Sequence, residues 1–248
     1  HWAPSEGGEK NGMLLLAGCE YDAGSQAMEP GIYHIVSIGA KRTPDLLKSP
    51  SLGPQQVLDA VHDAGGFAIL AHPAWSLNRP EQIERLRGVD ASEIYNTMSG
   101  NPWNGRRADS SVILDMVSAA GTLIPCVASD DAHFYTGEQC RSFVWVQADE
   151  LKEDALLDAL RQGRFYASQG PQMELSLERG RLRVRCTPAQ NILFYSDQVW
   201  SPFRSVAGEN LTEAEYLLCP GETFLRVEVI DKEGRIAWSS PISAEKLR

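Results

Sequence analysis

The sequence predicts an α/β domain followed by a small antiparallel β unit. Apolar runs of strand length alternate with helical patterns of about 10 to 12 residues over most of the chain, which is typical of a parallel sheet, open or closed into a barrel. From about Met173 the apolar residues instead recur at every second position, and most helix signals disappear. We therefore expect one domain over residues 1–171 and a second over 172–248.

The composition is that of an ordinary globular chain. Of 248 residues, 43% are hydrophobic and 23% are charged, which argues against collagen, coiled coil and extensive disorder. The formal net charge is −10, and no basic cluster stands out, so a nucleic acid larger than a small nucleotide is an improbable partner. No apolar run approaches the ~20 residues of a membrane-spanning helix. We expect no membrane contact and take the cytoplasm as the default location.

Five cysteines are widely spaced and include no Cys-x-x-Cys pair. This arrangement predicts neither a disulfide framework nor a zinc knuckle.

The N-terminal part of the predicted domain contains two strands. The apolar run over residues 13–17, followed by Gly18, Cys19 and Glu20, predicts a buried strand that ends in a carboxylate. Residues 32–38 predict the next strand. If this strand returns antiparallel, its first residues lie beside the last residues of the strand before it. Glu20 and His34 then lie at one end of the sheet.

Start and stop signals delimit the elements that follow. Pro54 opens a helical pattern that Gly65 closes, and a strand over residues 67–72 ends at His72 because Pro73 cannot extend a ladder. The same reasoning predicts helices over 80–87, 109–120 and 151–162, and strands over 92–95, 123–128 and 143–146.

The C-terminal unit is predicted from its alternation and its turns. Hairpin turns are expected at Arg179 and Gly180 and at Glu233 and Gly234. Residues 211–217 are the one stretch of this unit that is expected to be helical.

Several metal-ligating residue types lie at loops that the α/β alternation brings to one end of the sheet. A carboxylate beside an apolar strand is costly unless it is paired or metal-bound. In an extended stretch, residues two apart face the same way, so Asp131 and His133 could face one ion. Carboxylate oxygen combined with imidazole nitrogen suits zinc, manganese or iron in hydrolytic sites. The set comprises Glu20, His34, His72, Asp131 and His133.

Each of these residues also has a structural reading. His34 and His72 are equally suited to hydrogen-bonded structural roles, Glu20 to a surface turn, and Ser129 or Asp130 to capping a helix. His62 lies mid-helix and is expected to stay outside any metal site. The aromatic residues Tyr21, Trp75, Trp103 and Phe134 either line a substrate pocket or pack in the core.

Taken in order, these segments resemble the PHP (polymerase and histidinol phosphatase) superfamily. The resemblance rests on Gly18-Cys19-Glu20, His34, Ala71-His72-Pro73, the segment 92–96 and above all Ala128-Ser129-Asp130-Asp131-Ala132-His133. It covers about residues 1–171. Residues 163–171 are similar to the segment that leads, in one bacterial branch, into an appended β unit.

The resemblance implies a distorted (β/α)7, TIM-like barrel that holds two or three divalent ions, zinc, manganese or iron, at the carboxyl ends of its strands. It implies that Glu20 bridges two ions, that His34 and His72 complete one position, and that Asp131 serves another. His133 would serve a third position together with His1. The family's opening strand with a His-x-His pair is not found in this sequence, so we expect that the chain lacks the first barrel strands; the alternative is that the first metal position is lost.

The function expected from these features is a metal-dependent phosphoesterase that hydrolyses a small phosphorylated substrate with a metal-activated water. Asp131 and His133 are the expected catalytic residues. Arg106 and Arg107 would contact the phosphate, or else are solvated loop residues. Two alternatives stay open: a metal-dependent hydrolase of carboxylic or carbamic esters, and a non-catalytic binding protein on a degenerate barrel.

Overall fold

Two β-sheets and one short hairpin account for most of the regular structure. The computed structural model describes residues 3–25 and 31–247. In it 38% of the residues are in strands and 17% in helices, so the chain is mostly β. The predicted α/β architecture, and with it the (β/α)7 or TIM-like barrel, is therefore wrong.

The first sheet has five strands in the order β3-β4-β5-β6-β7, and β1 and β2 form a separate hairpin. The elements up to β7 are β1 (Gly8–Lys10), β2 (Met13–Leu15), β3 (Gly18–Gly24), β4 (Ile32–Ile38), α1 (Pro54–Asp63), β5 (Phe67–Leu70), α2 (Pro73–Ser76), α3 (Pro80–Ile83), β6 (Ala91–Asn96), α4 (Ser111–Ala119) and β7 (Cys126–Ser129).

Strand direction explains why this sheet is not a parallel barrel. The pairs β3–β4 and β4–β5 are antiparallel, whereas the pairs β5–β6 and β6–β7 are parallel. A parallel pair needs a crossover of a dozen or more residues, whereas only residues 25–31 separate β3 from β4. The antiparallel return that we allowed for β4 is thus confirmed.

The second sheet has eight strands in the order β10-β11-β13-β14-β9-β8, with β12 beside β11 and β15 beside β13. Its elements are β8 (Phe143–Val146), α5 (Glu153–Arg161), β9 (Phe165–Ser168), β10 (Met173–Glu178), β11 (Arg181–Tyr195), β12 (Ser205–Leu217), β13 (Phe224–Ile230), β14 (Ile236–Trp238), β15 (Ile242–Ser243) and a 3-10 helix (Ala244–Leu247). β8 and β9 precede residue 171 and still belong to this sheet. The domain boundary at that residue stays a prediction.

Three element predictions are wrong for local reasons. The apolar run at 13–17 is not a buried strand: Met13 is 59% exposed in β2, and the buried strand is β3, which begins at Gly18. Residues 211–217 are not helical but close β12, where Glu213 pairs across the sheet with Arg183 at 2.8 Å. The helix expected over 80–87 is the single turn α3.

A buried arginine connects the second sheet to helix α4. Arg226 of β13 has a side chain that is 1% exposed, and it makes two 2.7 Å hydrogen bonds to the carboxylate of Asp115 on α4. It also donates to Glu228 Oε1 at 2.7 Å, and its guanidinium lies 4.6 Å from the ring centre of Tyr195. Fully paired in this way, the buried cation fixes β13 against α4.

Aromatic stacking adds a second contact between the layers. The fully buried Trp238 of β14 stacks on Tyr95 of β6 with ring centres 5.4 Å apart. The second sheet thereby covers the back of β6 and β7, while α1, α3 and α4 pack on the back of β3, β4 and β5.

None of the helices found in residues 3–25 and 31–247 is long and apolar enough to cross a membrane.

We predict that Arg226→Met lowers the free energy of unfolding by about 3–5 kcal/mol, because it leaves the carboxylates of Asp115 and Glu228 without their counter-charge in the interior. Arg181→Met is the matched control: Arg181 is 58% exposed and pairs with Glu215 on the surface, so its loss should be below about 1 kcal/mol. Urea denaturation measures both. Equal losses in the two variants would contradict the role given to Arg226.

Candidate metal centre

Glu20 and His34 meet across the β3–β4 ladder. In the register of this pair, Glu20 lies opposite Val36, and Asp22 lies opposite His34. Directly paired residues and residues two apart share one face of a sheet, so Glu20 and His34 are diagonal neighbours. Glu20 Oε1 lies 2.7 Å from His34 Nδ1. The expectation that these two residues lie together is confirmed, although Glu20 lies within β3 rather than after its end.

His72 reaches the same point from the end of β5. Its backbone is left-handed, with φ 30°, a conformation that costs a non-glycine residue of the order of 1–3 kcal/mol and is concentrated at functional sites. Glu93 Oε2 holds the His72 backbone N–H at 2.8 Å, and His72 Nδ1 lies 3.1 Å from Ser76 Oγ. His72 Nε2 is thereby directed to Glu20 Oε1, 3.5 Å away.

These three side chains form a group that could hold a metal ion. One ligand atom from each of Glu20, His34 and His72 lies within 4.8 Å of the others. Two ligands at 2.0–2.2 Å from a common tetrahedral zinc are themselves about 3.4 Å apart. One carboxylate oxygen and two imidazole nitrogens therefore suit a divalent cation in their chemistry, and their separations lie on both sides of that spacing. The indole of Trp75 packs on both imidazoles, with ring centres 5.7 Å from His34 and 5.0 Å from His72.

A buried carboxylate lies directly behind this group. Glu93 of β6 is 4% exposed, and its second oxygen, Oε1, accepts from Ser129 Oγ at 2.5 Å. Asn96 Nδ2 donates to Glu93 Oε2 at 2.8 Å and reaches Asp131 Oδ2 at 3.3 Å. This chain of hydrogen bonds connects His72 to Asp131.

Asp131 and His133 lie beside the group, in the loop after β7. His133 Nδ1 is 3.6 Å from Asp131 Oδ1, and the His133 side chain is 43% exposed. Asp131 shares the left-handed backbone of His72, with φ 51°. Both residues line a cavity of about 250 Å³ together with His34 and His72.

The remaining predicted site residues lie elsewhere. Arg106 and Arg107 are exposed in the loop before α4 and are not among the residues that line this cavity. His62 contacts Asp90 Oδ2 at 2.9 Å, away from the group, as expected. His1 lies outside the described residues.

Three of the four aromatic residues considered in the sequence line the cavity, and the fourth packs in the core. Trp75, Trp103 and Phe134 line the 250 Å³ cavity. Tyr21 is 4% exposed and packs in the core formed with α1, because its position in β3 turns it to the opposite face from Glu20.

Glu93 and Asn96 were not among the predicted site residues. The available signal was a charged side chain in the middle of the apolar strand 91–96, which needs a partner when buried.

The electrostatics of the centre favour a cation. Burial works against ionisation of Glu20, but the hydrogen bonds and positive charge of His34 and His72 lower the pKa of this carboxyl to about 2. Burial raises the pKa of Glu93 above its ordinary value. Burial and the negative charge of Glu20 do the same to the pKa of Asp131. Asp131 therefore faces the negative charge of both Glu20 and Glu93, and a bound cation would relieve that repulsion.

The negative charge of these carboxyl groups is not balanced by lysine or arginine side chains of the described residues in the walls of the adjoining cavities. A second cavity, of about 300 Å³, adjoins the first and shares His72 and Asp131 with it. Within the described part of the chain, neither cavity is lined by a lysine or an arginine.

No protein-family model matches the chain, and comparison with curated proteins gives no match either. The family resemblance therefore stays a prediction, and the candidate metal centre rests on its geometry alone.

We predict that zinc or manganese at 100 times its Kd raises the Tm of the chelator-treated protein by about 5–10 °C, because an ion that binds only the folded state adds about 2.7 kcal/mol of stability. Glu20→Gln and His72→Ala should remove most of the shift, since each deletes one ligand.

His62→Gln serves as the matched control, because the interaction described for this histidine is with Asp90, away from the group. The Tm shift of this variant should equal that of the unmodified protein. Differential scanning fluorimetry measures all four proteins. A full shift in Glu20→Gln would show that the ion binds elsewhere.

Proposed function

We propose that the protein is a metal-dependent hydrolase that cleaves small phosphate esters with an activated water. One observation carries the proposal: the donors Glu20, His34 and His72 lie together, and His34 and His72 line a cavity with Asp131 and His133. Mixed carboxylate and imidazole sites of this kind leave coordination positions open for water and substrate.

The residues fit one divalent ion at Glu20, His34 and His72, with Asp131 and His133 available to a second. Zinc, manganese and iron all accept this combination of ligands. When bound, such an ion supplies a water of lowered pKa and a Lewis acid for the ester oxygen.

The chain's own groups fix the geometry. Ser76 and Glu93 hold the imidazole and backbone of His72, and Asn96 holds Asp131. Such contacts behind the ligands commonly contribute tenfold to 100-fold to metal affinity or activity. Asp131 lies where a carboxylate can accept a proton from an attacking water.

A covalent mechanism finds less support. Ser129 Oγ donates its proton to Glu93 Oε1, so the hydroxyl is not directed at a histidine base. Cys126 is fully buried, and burial raises the pKa of its thiol to about 12, which disfavours the thiolate.

One observation favours a second candidate, hydrolysis of carboxylic or carbamic esters. Phosphate dianions are usually met by a guanidinium or ammonium group, and neither cavity is lined by one among the described residues. Uncharged esters need no such group.

We predict that the metal-loaded protein hydrolyses phosphate monoesters and that the double variant His72→Ala with Asp131→Ala loses at least about 100-fold in kcat/KM, because it removes a ligand and the neighbouring carboxylate. A panel of methyl, phenyl and glycerol phosphate beside phenyl acetate measures this.

The control is again His62→Gln. Unchanged turnover in the double variant would refute the proposal. Turnover of phenyl acetate alone would favour the second candidate, and metal binding without turnover of any ester would favour a non-catalytic binding protein.

A further inference from the structure

The 300 Å³ cavity, which we call the apolar cavity, extends from the metal centre into the space between the first sheet and α5. It shares Glu20, His72 and Asp131 with the centre. Apart from these residues, Glu93 and Ser129, its walls are hydrocarbon. They comprise Val36, Ile38, Phe67, Ile69, Ala71, Val127, Ala128, Val144 and Leu160.

Strand geometry places ligands and hydrocarbon on one face. Because side chains alternate along a strand, Val36 and Ile38 share the face of His34. In the register between β4 and β5, Val36 lies opposite Ile69, and Ile38 lies opposite Phe67. The face of β4 that begins with a metal ligand therefore continues as an apolar surface.

The far side of the apolar cavity is closed by elements outside the first sheet. Val144 of β8 and Leu160 of α5 line it there, and Leu160 packs in one core cluster with Phe67 and Val127. The polar groups lie towards the carboxyl ends of the parallel strands, so the cavity has one polar end and one apolar end.

We propose that the apolar cavity receives an aryl or branched alkyl group of the ester whose bond lies at the metal centre. This inference rests on the proposed function. A volume of about 300 Å³ is at the lower end of small-molecule sites and about twice that of a dry engineered cavity that binds benzene. One aromatic ring with small substituents fits. Sugar and glycerol moieties do not, because their hydroxyl groups would lose water without finding hydrogen-bond partners on these walls.

Binding of phenol tests the cavity without any turnover. Isothermal titration calorimetry of the metal-loaded protein should detect one phenol site. Val144→Phe places a ring in the cavity. It should weaken phenol binding by at least about tenfold, because the new side chain covers most of the apolar surface that phenol would otherwise bury. Val36→Phe fills the opposite wall and guards against a folding defect in the first variant.

The matched control is Val112→Phe, the same substitution on the exposed face of α4, where Val112 is 65% exposed. It should bind phenol as the unmodified protein does. The metal-induced Tm shift verifies that each variant is folded around its ion.

Turnover tests the link to the ester. The ratio of kcat/KM for benzyl phosphate to that for methyl phosphate, whose leaving alcohols are of similar acidity, should be at least about 100, since each buried methylene contributes roughly fourfold. Val144→Phe should lower this ratio at least about tenfold, mainly through the KM for benzyl phosphate.

A ratio near one, or phenol binding that Val144→Phe leaves unchanged, would overturn the inference. If no ester is hydrolysed while phenol binding is present and lost in Val144→Phe, the cavity is an apolar ligand site and it is the proposed hydrolysis that fails.

Discussion

The arrangement of the centre depends on the burial of three carboxyl groups in one space, where Asp131 also faces the negative charge of Glu20. Glu20, Glu93 and Asp131 face His34 and His72 rather than lysines or arginines. Burial raises the pKa of Glu93 and Asp131, whereas the imidazoles hold that of Glu20 to about 2. A cluster of carboxyl groups of this kind can be neutralised either by shared protons or by a bound cation. The left-handed backbone at His72 and the hydrogen bonds of Glu93 keep the carboxyl groups close despite this cost.

The convergence of Glu20, His34 and His72 was predictable because it depends on local rules. A short connection makes β4 return beside β3, and Pro73 ends β5 at His72. These rules act over a few residues and do not depend on the rest of the fold. Strand direction elsewhere is not encoded in this way, since an apolar run looks the same in a parallel and an antiparallel pair. The parallel sheet is inferred from the alternation of strands and helices, and the (β/α)7 barrel from the family resemblance, but alternation does not show which strands pair or in which direction.

Contacts between distant segments escaped prediction for a related reason. Arg226 and Asp115 are 111 positions apart, and nothing in the composition of either neighbourhood connects them. Glu93 and Ser129 meet only because β6 and β7 are adjacent and parallel. For residues 211–217, the spacing resembles that of a helix, but backbone pairing with residues 181–185 and Ala189 of β11 makes them part of a strand.

The stacking of Trp238 on Tyr95 makes the C-terminal sheet a structural support for the strand that carries Glu93. Tyr95 neighbours Ile94, which packs with Leu114 and Trp238 behind the strand that carries Glu93. A shortened protein without β14 would leave this hydrocarbon surface open to water. The candidate metal group is thus coupled to the second sheet, because loss of this cover would loosen the strand that positions Glu93, whereas α1, α3 and α4 would still cover the back of β3, β4 and β5.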